Sequence, residues 1–145
     1  MTKTVEIKNL TMYFEHTQTK AIDNLSLDIE KGKITGLIGA DASGKTTLIR
    51  IIIGLLVATS GEVSTLSLNP ETQKDTMNKK IGYMPQKFGL YEDLSVLENL
   101  ELYADLKNVP YNFEKLLTFT NLTKFQARLA GKLSGGMKQK LGLAC

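Results

Sequence analysis

Near the start of the chain apolar and charged positions alternate. Val5 and Ile7 sit between polar neighbours, and Ile22, Leu25, Leu27 and Ile29 run into Glu30, Lys31, Gly32 and Lys33. A period of two predicts short antiparallel strands closed by a turn. From 34 to 38 the pattern becomes a compact, nearly unbroken apolar run ending at Gly39, which predicts a buried strand. A polar, Gly-containing loop follows. Residues 47–56 are then apolar around most of a helical circumference, which predicts a buried helix. Thr59, Ser60 and Gly61 predict a turn, and residues 62–68 a further strand ended by Asn69 and Pro70.

Residues 81–84 predict another strand, stopped by Pro85, which has no N–H for a ladder. Ser95 and Glu98 have the spacing of a helix capping box. Beyond them Val96, Leu97, Leu100, Tyr103 and Ala104 line one face of a helix running to about residue 107. A mainly helical stretch follows, interrupted by Asn108, Val109 and Pro110. Near the end, Leu133, Ser134, Gly135 and Gly136 open a helix on which Met137, Leu141 and Ala144 share a face.

Composition narrows the possibilities. At 145 residues with 42% hydrophobic and 23% charged positions, the chain is one folding unit or a piece of one, not a disordered tail. Its net charge of +3 is small and scattered, so no nucleic-acid surface is expected. The only cysteine is Cys145, which excludes an intramolecular disulfide and a Cys-rich metal cluster and fits a reducing, cytoplasmic setting. The N-terminus, from Met1 to Glu6, lacks the apolar run of a signal peptide. The longest apolar stretch, 51–58, is too short to span a bilayer.

Between the predicted strand 34–38 and the predicted helix lies Gly39-Ala40-Asp41-Ala42-Ser43-Gly44-Lys45-Thr46, which matches G-x-x-x-x-G-K-[ST]. In such a loop successive backbone N–H groups and the positive end of the next helix cradle phosphate oxygens. Lys45 is then expected to reach the outer phosphates as a point charge, and the Thr46 hydroxyl to bind Mg²⁺. The plain alternative is a Gly-containing turn before a helix. Leu133-Ser134-Gly135-Gly136 places a hydroxyl and two bare amides at a second helix start. That arrangement serves either an anion or an ordinary N-cap.

These two motifs, with Gln86 after the 81–85 run, resemble the ATP-binding cassette (ABC) ATPases, and the resemblance covers the whole chain. The run from Tyr83 to Val96 (Y-M-P-Q-K-F-G-L-Y-E-D-L-S-V) and the signature variant L-S-G-G-M-K-Q resemble the ATPase subunits of ABC-2 type exporters of drugs or cations. The resemblance implies an α/β fold of the P-loop NTPase class, present as an incomplete ABC nucleotide-binding domain. Its expected parts are a β-rich and phosphate-loop portion over 1–89, a helical subdomain over 90–132, and the signature with the start of its helix over 133–145. It also implies that ATP and Mg²⁺ are the cofactors. Residues 39–46 with Thr47 would hold phosphates, and Thr46 and Gln86 would contact Mg²⁺. Phe14, or failing it Tyr13, would stack on adenine. Leu133, Ser134, Gly135 and Gly136 would grip nucleotide held by a second cassette. A transmembrane permease subunit is the other implied partner, with the assembly on the inner face of the plasma membrane.

The family pattern continues beyond Cys145 into a Walker B aspartate, a catalytic glutamate and a switch histidine. None of these can be assigned here, because the sole histidine is His16. The 145 residues by themselves are therefore expected not to turn over ATP, and to leave strand 34–38 without neighbours, an invitation to aggregate. The family commonly reads G-P-x-G-x-G-K in the loop, where this chain has Ala40 and Ala42. If position 42 takes a positive φ, alanine costs roughly 1 kcal/mol or more, with nucleotide binding weakened several-fold. A truncated or decaying copy, or a partial reading frame, is one expectation. A non-catalytic nucleotide-binding module is another, and a soluble ABC protein a third.

Overall fold

The computed structural model describes residues 2–86 and 89–145. Met1, Lys87 and Phe88 lie outside the described residues, and with them two positions of the exporter-like run 83–96. The chain divides into two compact units, Met1–Tyr83 and Met84–Cys145.

The first unit is built on a three-stranded antiparallel sheet of order β2-β1-β3, with β1 Lys3–Phe14, β2 Thr19–Glu30 and β3 Ser60–Thr65. The alternation read at Val5 and Ile7 is real, and both are buried. The buried residues then become Leu10 and Met12 rather than the odd-numbered positions. Between Ile7↔Leu27 and Leu10↔Leu25 the register slips by one residue, and Asn9 takes φ 50° there. The bulge reverses which parity faces the core and lets β1 and β2 run far longer than the short strands predicted. A 3-10 turn, Glu15–Thr17, joins them. Helix α1, Lys45–Ile52, packs Leu48 and Ile51 against Val5, Ile7, Leu10, Met12 and Ile22.

α1 stops four residues before the predicted end at 56. Gly54 takes φ +71°, and a Cβ there would stand 2.5 Å from the Pro70 carbonyl oxygen, so the chain turns away where only glycine fits. The Thr65 hydroxyl donates to the Ile52 carbonyl at 2.7 Å, satisfying one of the orphan acceptors at the helix end. A short helix, α2 Lys74–Asn78, was not foreseen from the sequence and buries Met77 completely.

Two predicted strands are absent. Residues 34–38 and 81–84 form no ladder. Ile34 is as exposed as in an isolated extended peptide, and Ile38 nearly so. A strand has no hydrogen bonds of its own, and among the described residues no neighbour pairs with either segment. The apolar composition was read correctly, but it does not make a strand without a partner.

The second unit is helical, with α3 Val96–Lys107, α4 Glu114–Thr120 and α5 Gly135–Ala144. Val96, Leu100, Leu117, Leu122, Leu133 and Leu141 form its core. The predicted capping box is present: the Ser95 hydroxyl accepts from the Glu98 amide at 3.2 Å, and the Glu98 carboxylate accepts from the Ser95 amide at 2.7 Å. Asn108 in the left-handed region ends α3. Burial pushes the Cys145 thiol up to about 11, so it is neutral at pH 7.

Candidate functional site

The phosphate-type loop forms a closed ring ahead of α1. Ser43 N–H donates to the Ala40 carbonyl at 3.3 Å, making a turn over 40–43, and Leu48 N–H to the Gly44 carbonyl at 2.8 Å begins the helix. The Lys45 ammonium folds back into this ring. It donates to the Ala40 carbonyl at 2.5 Å and the Gly39 carbonyl at 2.9 Å, with the Ser43 hydroxyl at 3.4 Å. Lys45, Thr46 and Thr47 are the first residues of α1, so their amides have no intrahelical acceptor. Asp41, Ala42, Ser43 and Thr46 are exposed, while Gly44, Lys45 and Thr47 are half-buried. Amides without an intrahelical acceptor, a cation and the positive end of a helix dipole thus belong to one short loop, a combination that favours an anion.

Gly44 is the position the fold constrains most tightly. Its φ is +86°, and a Cβ there would stand 2.2 Å from the Ala21 carbonyl oxygen. Ala21 is the extra residue of another register slip in the same strand pair, between Met12↔Ile22 and Tyr13↔Lys20. A bulge takes a carbonyl out of the ladder, and here the misaligned residue is the one that abuts the loop. No local signal identifies Ala21 from the sequence, because its role exists only once β2 meets the start of α1.

The second motif lies in the other unit. Ser134 is the N-cap of α5, its hydroxyl accepting from the Met137 amide at a long 3.4 Å. Ser134, Gly135 and Gly136 are exposed, and no atom lies within 4 Å of a Cβ built on either glycine. Leu133 is instead buried as the anchor. The N-cap reading of the serine is therefore realised, and the open space beside both glycines leaves their backbones accessible from outside.

What holds this motif in place was not legible in the sequence. Asn99, fully buried in α3, accepts from the Tyr91 amide at 2.9 Å and donates to the carbonyls of Tyr91, Leu94 and Ser95. The loop it clamps is bonded in turn to the approach of α5, through Ala130 N–H to the Leu94 carbonyl and Gly131 N–H to the Glu92 carbonyl. Lys138 in α5 adds an ion pair to Glu92 at 2.6 Å, and its hydrogen bond holds the Glu92 carboxyl below the usual range. An Asn inside an otherwise apolar helical face was the available clue.

Gln86 belongs to the second unit and is exposed at a bend. Phe14 and Tyr13 end β1, each a little over one-third exposed. Tyr13 is tied down through its amide to the Thr59 hydroxyl at 2.9 Å. His16 sits in the exposed hairpin turn. For Mg²⁺, the oxygens in question are the exposed Thr46 hydroxyl and the Gln86 side-chain carbonyl. Both are hard, neutral donors suited to an ion that keeps several waters and takes its remaining ligands from phosphate. Each donor fits by its own chemistry, Thr46 in the first unit and Gln86 in the second.

A profile of the ABC transporter family matches residues 22–145. The chain is 49% identical over 146 residues to the probable multidrug ABC transporter ATP-binding protein YbhF of Escherichia coli strain K12, covering 97% of this chain and 25% of that protein. It is 38% identical over 143 residues to the zinc import ATP-binding protein ZnuC of Rickettsia conorii, covering 97% and 56%. Among solved structures, an ATP-binding subunit of an ABC transporter superposes with a TM-score of 0.81 at 27% identity, over 97% of this chain and 60% of that one. A dimeric ATP-binding cassette bound to ADP and Pi in a post-hydrolysis state gives 0.79 at 29% identity, over 97% and 67%. The chain thus spans about a quarter of the length of the curated relative YbhF.

Proposed function

The chain belongs to the ABC transporter family, and from that premise we propose that it is nucleotide-binding machinery of a transporter ATPase. In this reading ATP binding and hydrolysis are coupled to export of drugs or cations through a partner membrane protein. The observation that carries the reading is the loop over 39–46. It is closed on itself around the Lys45 ammonium and opens three unpaired amides at the start of α1. The amides of Lys45, Thr46 and Thr47 would take phosphate oxygens, and Lys45 would exchange its two backbone carbonyls for them. Thr46 would supply an oxygen to Mg²⁺, which neutralises charge on the phosphates when bound. Phe14 offers an accessible ring for the adenine. Ser134 and the amides of Gly135 and Gly136 would face nucleotide held by a second cassette, which fits their exposure.

The export direction is supported by the greater likeness to a multidrug protein, at 49%, than to an import protein, at 38%. Among the described residues no helix is long and apolar enough to cross a membrane. The three parts proposed from the sequence, 1–89, 90–132 and 133–145, would serve phosphate binding, permease docking and the second nucleotide respectively. The groups assigned here among the described residues are binding groups, and nucleotide binding is the activity proposed for them.

Titration of the protein with Mg²⁺ and a fluorescent ATP analogue tests the reading. Lys45→Ala should weaken binding by at least tenfold, since it removes the only cation in the ring. Equal affinity of the two proteins would refute the phosphate-loop assignment. Reconstitution with a permease in vesicles, with transport followed in both directions, tests export separately.

A further inference from the structure

Gly135 and Gly136 begin α5 with nothing within 4 Å of where a Cβ would stand. Consecutive glycines have the freest backbone a chain can have, and the Ser134 cap is a long one at 3.4 Å. The two amides are therefore aimed by whatever grips the chain on either side. Leu133 and Leu141 are buried and seat α5 on the core, but apolar packing is non-directional. The directional grip comes from a single residue. The Glu92 carbonyl accepts from the Gly131 amide at 2.9 Å, before the motif, and the Glu92 carboxylate pairs with Lys138 at 2.6 Å, after it. Gly131 approaches so closely that a Cβ on it would stand 3.0 Å from the same carbonyl oxygen.

Glu92 is itself held firmly. Asn99 clamps its loop at Tyr91, Leu94 and Ser95, and Ser95 forms an antiparallel bridge with Leu129. The first amides of α3, Val96 and Leu97, donate to the Arg128 and Gln126 carbonyls at 3.0 Å each, which fixes the approach to α5 against the same helix. Lys138, the fourth residue of α5, is poorly placed for its own helix, because a cation near a helix N-terminus opposes the dipole. The carboxylate explains its place. We infer that Glu92 is the positioning residue of the 134–136 segment, setting the direction of the Gly135 and Gly136 amides through Gly131 and Lys138. The ion pair serves orientation more than stability, since the Glu92 side chain is 69% exposed and pairs of that kind contribute little. The inference rests on reading this segment as the contact to nucleotide held by a second cassette.

Residual dipolar couplings, with the α3 amides as the frame, read the direction of the Gly135 and Gly136 N–H bonds without nucleotide. Glu92→Ala keeps the carbonyl bond to Gly131 and removes only the carboxylate. It should change the two glycine couplings, leave those of α3 as they were, and move the thermal midpoint by no more than about 4 °C. Lys138→Ala should change them in the same way, and Glu92→Lys combined with Lys138→Glu should restore them. Sedimentation in Mg²⁺ and a non-hydrolysable ATP analogue then reads the pairing of two copies of the chain. Glu92→Ala should weaken that pairing about fivefold or more, and the exchanged pair should recover it. Unchanged couplings in Glu92→Ala, couplings that the exchanged pair fails to restore, or pairing of full strength despite altered couplings would each overturn the inference. A midpoint that falls further would show an ordinary structural contact and would overturn it as well. If the couplings behave as expected but the unaltered protein does not pair with the analogue present, the positioning role stands and the second-nucleotide reading falls.

Discussion

Replacing Gly44 by alanine should damage the first unit through two additive causes that the structure separates. The residue has φ +86°, which costs an L-residue about 1–2 kcal/mol. The new Cβ would also lie 2.2 Å from the Ala21 carbonyl oxygen, a backbone atom that cannot swing aside as a flexible side chain does. Relief of that contact requires β2 or the start of α1 to shift, with a cost typical of overpacking, about 1–3 kcal/mol. The sum, about 2–5 kcal/mol, is a large fraction of a small domain's total stability. In a thermal melt followed by circular dichroism this corresponds to a fall of about 8 °C or more for a unit of this size. Gly136→Ala is the control. It has open space around its Cβ and no positive φ, so in the first turn of α5 alanine should leave the midpoint unchanged or raise it. A Gly44→Ala midpoint within about 1 °C of the original would refute the reasoning, because neither the φ nor the carbonyl contact could then be as described.

Asn99→Ala should leave the Tyr91 amide and three carbonyls without their buried partner and cost about 2–4 kcal/mol, read by chemical denaturation. Amide exchange should accelerate at Ala130 and Gly131, which hang from the same loop. Ser95→Ala should cost about 1 kcal/mol through loss of the α3 cap. The pH dependence of the second unit follows from Glu98 and Glu92, both held below their ordinary value of 4.5, Glu98 by its hydrogen bonds with Ser95 and Glu92 by Lys138. A lowered carboxyl contributes stability that is present above 4.5 and lost as the pH falls through its folded value. Melts at descending pH should show this loss below 4.5, and Glu98→Gln, which keeps a hydrogen-bonding amide at the same position, should flatten it. Ile34→Thr with Ile38→Thr should reduce binding of an apolar dye and light scattering, since both side chains stand in solvent.

Features that depend on neighbours three or four residues apart were legible in the amino-acid order. The Ser95 and Glu98 cap, the buried face of Val96, Leu100 and Ala104, and the ring of residues 39–46 before α1 all follow from local spacing. Each is closed by hydrogen bonds or packing within one turn of chain. The register slips in the β1–β2 pair were not, although they decide that Leu10 and Met12 face inward and that Ala21 meets Gly44.

The residue order by itself therefore singled out the short segments proposed as sites: a ring of amides around a lysine, a serine and two glycines at a helix start, and a family likeness spanning both. Tertiary structure alone decided what holds them. Asn99 reaches a loop eight residues earlier in the chain, Ala21 abuts a glycine from another element, and residues 34–38 stay irregular despite an apolar composition. The physical reason is common to all three. A helix satisfies its own backbone, whereas a strand, a bulge or a buried amide takes its form from partners distant in the chain, and no local spacing encodes who those partners are.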